Sequence, residues 1–408
     1  MGGREMMHDT RQSPSFVVRE LMWKTEKQGK SVVIGIPKED QEVERRLALT
    51  PETVSLLIAL GYRVLVQAGA GDTIHYSDGY YAESGAEIVE SAREVFQADL
   101  ILKMLPPTLE EVEMIKERAS VFSFLYLHRL STPILERMAE KRINALAYEL
   151  LLDDSGESPF VTAISEIEGA TSIALAAELL SNAHGGKGII LGGVPGVTPT
   201  EVIIVGAGIA GTMAARAALA LGASVKVFDD DIVKLRTIRH ELGRSVYTST
   251  LQPNVLRNAF RSADVVIGAM RYINKAHFYR VSSDLIREMK RGSLIIDLRV
   301  AQGGCFETTM EACLPNHPSK FERNGVLHVC EMSVSSRVAR TASISMSNLF
   351  VPLFTAMGDH RGIDHFARFD RGFASGFYMY AGKLVNAHVG NHFNYPVTDI
   401  GLFLLRDL

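Results

Sequence analysis

The sequence predicts an α/β protein of at least two domains, each built on a parallel sheet with helices between successive strands. Three observations carry this. Short β-branched apolar runs alternate with helix-period segments from residue 32 onward, the pattern of parallel strands joined by crossover helices. A strand–turn–helix–strand unit with G-x-G-x-x-G spacing stands at 201–229, in the context that gives that spacing meaning. The chain, at 408 residues, is long enough to divide.

The elements follow in order. Residues 1–31 are polar and mixed, carry the lone Trp23, and read as an N-terminal extension with a short helix over 16–27. A strand at 32–36 ends at Pro37, a helix over 51–60 stops at Gly61, and a second strand covers 62–67. A turn at 69–72 leads to a helix over 77–85, and further strands are read at 100–102, 121–127 and 144–148. This domain has no nucleotide fingerprint of its own. The last 45 or so residues, rich in Phe, Tyr, Gly and His, are expected to pack back on it, so the substrate domain is assigned to 32–163 plus 358–408. Residues 164–183 read as a long bridging helix with Ser165 near its start. The Gly-rich stretch 184–201 is by composition as much a bare linker as a built loop, so 164–198 is taken as the link between domains. A nucleotide domain over 199–343, with later strands at 265–268 and 294–298, and a return helix over 344–357 complete the division.

Composition narrows the function. The formal net charge is −4, and no block of like charge exceeds the three aspartates 229–231, so neither nucleic acid nor a membrane surface is expected as a partner. No apolar run reaches about 18 residues, and the start of the chain lacks a signal-peptide core. Twelve His show no tight metal-ligand spacing, and no metal is expected. Cys305, Cys313 and Cys330 form no CxxC pair, and an odd count fits reduced thiols in a cytoplasmic protein.

The unit at 201–229 is the chemical centre. Gly206 permits the tight turn, Gly208 lets the backbone approach a pyrophosphate, and Gly211 lets helix and strand pack closely. The helix N-terminus offers free N–H groups to the phosphates. Asp229 lies 18 residues beyond Gly211 at the end of the second strand. A carboxylate there bonds ribose hydroxyls and repels a 2′-phosphate, favouring NAD over NADP. Asp230 is a lesser alternative, and Asp231 reads as the start of the next helix.

With these residues in view, the chain resembles the alanine dehydrogenases, of the family shared with the nucleotide-binding domain of nicotinamide nucleotide transhydrogenase. The resemblance covers roughly 33–395. Its anchors are IGIPKE (34–39), ERRLALTP (44–51), QAGAG (67–71), SEIEG (165–169), GGKGIILGGVPGV (185–197), VGAGIAG (205–211) and QGGCFE (302–307). It implies two Rossmann-like doubly wound domains joined by long helices, with the active site in the interdomain cleft. It also implies NAD as cofactor, a homohexamer, and reversible oxidative deamination of L-alanine to pyruvate and ammonia. Ser165 aligns with a family serine at the pyrophosphate and Lys234 with a lysine near the adenosine. Alone, Lys234 reads as a solvated helix lysine.

The substrate site departs from the family pattern. Arg46 aligns with the arginine that takes the substrate carboxylate, a task suited to a planar guanidinium. The family's LKVKEP appears as LKMLPP (102–107), so the substrate lysine position is Leu105 and Lys103 is the nearest substitute on a shared strand face. Without gaps, Tyr126 takes the place of the catalytic histidine. A two-residue shift puts His128 there, and both stay candidates. The family's D-Q-G-G-C begins with Ala301, and Asp297 lies four residues away with Arg299 between. Three readings follow: a dehydrogenase with a rearranged acid/base set, an NAD(H)-binding homologue serving as sensor or regulatory subunit, and a transhydrogenase-type subunit. Leu105, Tyr126 and Ala301 favour the second; the GGVPGV and QGGC segments oppose the third.

Overall fold

The computed structural model describes residues 32–243, 246–271, 279–312, 317–359 and 362–404. The extension 1–31, with its helix over 16–27, and Cys313 lie outside them. Two parallel-dominated sheets result. The first is formed by β1 (Val33–Ile36), β2 (Arg63–Gln67), β3 (Glu87–Val89), β4 (Leu100–Leu102), β5 (Ser120–Ser123) and β6 (Asn144–Ala147). The second contains β7 (Glu201–Val205), β8 (Ser224–Phe228), β9 (Tyr247–Ser249), β10 (Val265–Gly268), β11 (Leu294–Asp297), β12 (Lys320–Arg323) and β13 (Val326–Val329). The chain then returns to the first sheet with β14 (Phe377–Tyr380) and β15 (Lys383–Leu384).

The first sheet runs β15-β14-β6-β5-β4-β1-β2-β3 and the second β12-β13-β11-β10-β7-β8-β9. Read from β3, the first has the 3-2-1-4-5-6 order of a doubly wound fold; read from β9, the second shares the 3-2-1-4-5 part and places β13 in the sixth position, with β12 beyond it. Both carry antiparallel additions at the far edge: β14 and β15 on the first, β12 on the second. The reason for burial on both faces is visible in single strands. In β7, Val202 and Ile204 join one core while Ile203 and Val205 join the opposite one. In β4, Leu100 and Leu102 face one core and Ile101 the other. Alternating side chains of an all-apolar strand fill both layers.

Two helices set the sheets against each other. The bridging helix is Pro159–Leu180, beginning about five residues before the sequence expectation. Ser158 caps it by accepting from the Val161 N–H, and Pro159 occupies the first turn, where a missing N–H costs nothing. It is long and apolar enough to cross a bilayer by length and composition, which the run-length count in the sequence did not show, but half of that window is buried inside the protein. The return helix spans Ala339–Asp359, longer than the expected 344–357. Its serines are spent on the first domain: Ser343 Oγ accepts from Leu47 N at 2.8 Å and Ser347 Oγ from Thr50 N at 2.9 Å. The stretch 184–201 is more than a bare linker. Gly193 N donates to Leu221 O at 3.3 Å and Thr200 N to Gly192 O at 3.0 Å, so the loop is held against the end of the helix Ile209–Ala220.

His328 on β13 shows what this burial does to a titratable group. Its Nδ1 donates to Val326 O and its Nε2 accepts from Thr308 Oγ1, both at 2.9 Å, so the neutral tautomer is satisfied. Burial lowers its pKa to about 4, against the Val326 carbonyl, which acts the other way. The folded value lies below the unfolded value of 6.5. The unfolded chain therefore binds the proton first as pH falls, and stability present above about pH 6.5 is lost towards pH 4, by up to about 3 kcal/mol. Urea unfolding across that window is expected to be less pH-dependent in His328→Gln than in the wild type. Equal slopes would remove His328 as a cause.

Candidate active site

A cavity of about 930 Å3 opens at the ends of β7 and β10, where the strand order reverses, the place where doubly wound sheets take their ligands. Ser165 from the bridging helix, Gly208 from the glycine turn, and Asp229 and Lys234 from the β8 end all line it. Four residues chosen from three separate stretches thus meet in one space. The glycines fit their assigned tasks. A Cβ on Gly211 would stand 1.9 Å from Gly206 O, and one on Gly206, at φ +116, would stand 2.5 Å from the Ala269 backbone. A Cβ on Gly208 meets nothing within 4 Å and would project into open space. That is the cradle a pyrophosphate needs, and no side chain caps the helix N-terminus beside it. Asp229 is buried; its Oδ2 accepts from Ala207 N at 2.6 Å and its Oδ1 from Asp231 N at 2.9 Å. Each oxygen keeps a lone pair for a ribose hydroxyl. These residues fit a dinucleotide.

The substrate-side residues form a different picture. Arg46 is wholly buried, and its fork grips Glu44: Nε to Oε1 at 2.8 Å and Nη2 to Oε2 at 2.6 Å. Nη1 donates to Ser335 Oγ at 3.1 Å and Nη2 to Tyr126 Oη at 3.2 Å. Four of its five N–H groups are engaged, which leaves no free fork for a second carboxylate. Tyr126 is held there with φ +31. Burial first, against the opposing pull of Arg46, pushes its phenol up to about 12.

The strand-face pairing expected of 103 with 105 and of 126 with 128 is not what forms. β4 ends at Leu102 and β5 at Ser123, so the two-residue period stops before either pair. Lys103 is buried between Glu111 (2.8 Å) and Glu39 (3.2 Å), while Leu105 is buried as an apolar residue. His128 lies in the turn Leu127–Arg129, its ring 5.9 Å from that of Tyr126. It lines a second cavity of about 430 Å3, with Pro106 and Thr108 of the first domain and Cys330 and Met332 of the second. Its Nδ1 is buried without a partner, and burial followed by the charge of Arg129 lowers its pKa to about 4. Asp297 does not stand in for the missing aspartate. It is spent on Cys305 N (2.7 Å), Thr309 Oγ1 (2.6 Å) and Arg299 N (2.9 Å), pinning the QGGC turn.

Sequence reasoning missed three charged groups. Glu149, just past β6, accepts from Leu125 N at 2.8 Å through Oε1, while its Oε2 is buried without a partner. Desolvation raises its pKa to about 7, against Arg271 and Arg46. Arg271 and Arg299, just past β10 and β11, both line the cofactor cavity. The only available signal was position, since residues at the ends of adjacent parallel strands converge on the crevice.

Comparisons with known proteins show the family and the fold. The family models "Alanine dehydrogenase/PNT, N-terminal domain" and "Alanine dehydrogenase/PNT, C-terminal domain" match residues 35–168 and 172–387. The alanine dehydrogenase of Staphylococcus epidermidis is 32% identical over 367 residues, covering 90% of this chain and 98% of the relative. That of Methanococcus maripaludis is 36% identical over 323 residues, covering 79% and 86%. A solved L-alanine dehydrogenase superposes with a TM-score of 0.79 at 29% identity, covering 89% of this chain and 99% of the other. A transhydrogenase from Sinorhizobium meliloti shares the fold, with a TM-score of 0.72 at 22% identity, covering 87% and 99%.

Two outcomes follow from the glycine turn and the buried arginine. Gly208→Ala is expected to keep the melting temperature and to weaken NADH binding at least about tenfold, measured by calorimetry. Unchanged affinity would mean the cradle holds no phosphate. Arg46→Ala strands the Glu44 carboxylate and is expected to lower stability by about 3–5 kcal/mol in urea unfolding. A stable Arg46→Ala protein would show that the pair is not a structural element.

Proposed function

The chain belongs to the alanine dehydrogenase/PNT family, and we propose that it catalyses the reversible NAD-dependent oxidative deamination of L-alanine to pyruvate and ammonia. It is an oxidoreductase acting on a CH–NH2 donor. The meeting of Ser165, Gly208, Asp229 and Lys234 in one cavity carries this reading. Gly208 and the N–H groups behind it would hold the pyrophosphate, Ser165 would face it from the bridging helix, and Asp229 with Lys234 would hold the adenosine ribose. NAD supplies the hydride-accepting chemistry when bound.

The protein's own residues manage protons. Hydride can leave the substrate Cα only when the amine is neutral, and the resulting iminium then needs a water made nucleophilic. Glu149, with a pKa of about 7 and an unpartnered oxygen, is poised to take a proton at neutral pH and return it. His128 is neutral at that pH and is the second acceptor, in the cavity between the domains. Tyr126 stays protonated, its hydroxyl held by Arg46. Leu105, Tyr126 and Ala301 stand where the family resemblance implies a lysine, a histidine and an aspartate, and that specific feature favours a second reading, an NAD(H)-binding homologue without turnover. We place the protein in the cytoplasm as a homo-oligomer, on the family resemblance.

The test is NADH oxidation with pyruvate and ammonium, and alanine oxidation as a function of pH. Alanine oxidation is expected to rise through about pH 7 as Glu149 deprotonates. Glu149→Gln is expected to lose that inflection and about 10²–10³ in rate. Tight NADH binding without turnover on any 2-oxo acid would select the second reading instead.

A further inference from the structure

The reading above leaves the substrate carboxylate without a partner. Arg46 is closed on Glu44, Lys103 is closed on Glu39 and Glu111, and Leu105 is apolar. Arg299 is in the opposite condition. It is more than nine-tenths buried, and its Nε is buried with no acceptor. The carboxylate of Glu168 lies 3.8 Å from its Nη1, beyond hydrogen-bond reach.

Arg271 opens into the same cavity from the end of β10. Burial first, and then the charge of Arg299, lowers its pKa below the ordinary value, so the two guanidinium groups feel each other. Glu149 and Glu157 are the carboxylates that oppose this. Two cations kept in one partly desolvated space, one with an unsatisfied donor, form a site short of an anion. Its place in the crevice selects which anion. Asp229 at the β8 end takes the adenosine side and the glycine turn of β7 takes the pyrophosphate. The ends of β10 and β11 therefore face the nicotinamide side, where the substrate lies.

We propose that Arg299 and Arg271 form the subsite that binds the carboxylate of the 2-oxo acid and 2-amino acid substrates, in place of the sequestered Arg46. The assignment rests on the dehydrogenase reading. The fork of Arg299 receives the carboxylate, Arg271 adds a second charge from the cavity side, and Glu168 positions Arg299 from the bridging helix. Arg271 and Glu149 feel each other's charge, so a carboxylate held by the arginines would bring the substrate amine towards the group proposed to take its proton.

The experiment uses the full chain and two ligands. NADH affinity is measured by calorimetry; oxalate, a carboxylate that cannot be reduced, is then titrated into the NADH complex by nucleotide fluorescence. The KM for pyruvate is measured alongside. In Arg299→Met and Arg271→Met, NADH affinity is expected to stay within about twofold, while the oxalate Kd and the pyruvate KM rise at least about tenfold. Arg299→Lys keeps the charge but loses the fork, and is expected to fall between. Because Arg271 is exposed in the cavity, its variant provides the reading if Arg299→Met fails to fold. Weakened NADH binding with unchanged oxalate affinity would assign the arginines to the pyrophosphate and overturn the proposal. A wild-type NADH complex that binds neither oxalate nor pyruvate would overturn it as well. Oxalate binding that is lost in the variants, in a protein without turnover, would uphold the subsite while the dehydrogenase reading failed.

Discussion

The arrangement depends on one close approach. A Cβ on Gly169 would stand 2.2 Å from Ala210 O, so the bridging helix Pro159–Leu180 lies directly on the fingerprint helix Ile209–Ala220. Only a residue without a side chain allows that separation. The contact joins the connection between the domains to the nucleotide turn. It brings Ser165 to the cofactor cavity and, three residues on, Glu168 to the neighbourhood of Arg299. Strand register alone cannot do this, because Ser165 belongs to neither sheet.

A second set of contacts ties the other side of the cleft. The stretch from Arg45 to Thr50 is fastened along serines of the chain's return path: Ser336 to Arg45 N, Ser335 to Arg46 Nη1, Ser343 to Leu47 N and Ser347 to Thr50 N. These are short acceptors that, at Leu47 and Thr50, satisfy buried backbone donors without adding volume. Arg46 therefore acts as a joint between the domains. Its charge is balanced by Glu44 and its donors are used for position. Burying such a pair gains little net stability, but removing one member is expensive, which makes Arg46 a poor probe of substrate binding.

Much of the architecture was legible in the sequence. The apolar runs located β4 and β10 to the residue and β1, β2, β6, β7, β8 and β11 closely, because strands buried on both faces are apolar nearly throughout, with Lys226 inside β8 the exception. The glycine spacing located the turn, and distance along the chain located Asp229. The short edge strands β3, β9, β12 and β15 were not read; two to four residues with partly exposed sides carry little pattern. The bridging helix was placed too late because Ser158-Pro159, a cap followed by a first-turn proline, was not used as a start signal.

The sequence by itself determined which backbone geometry is available at the nucleotide turn. Gly206 and Gly211 leave room for one local fold, and their effect is short-range. It also showed that Leu105 and Ala301 lack the groups the family uses. Only the tertiary structure decided which charges are free. Arg46 and Lys103 appeared as available cations in the chain, yet folding places a carboxylate against each. Arg299, which sits between two positions that drew attention, keeps a donor unpaired. Whether a charge is spent depends on how the fold turns it towards a carboxylate: Glu44 is a near neighbour of Arg46 in the chain and Glu111 of Lys103, yet only the folded backbone closes each pair, and residue order alone does not contain that information.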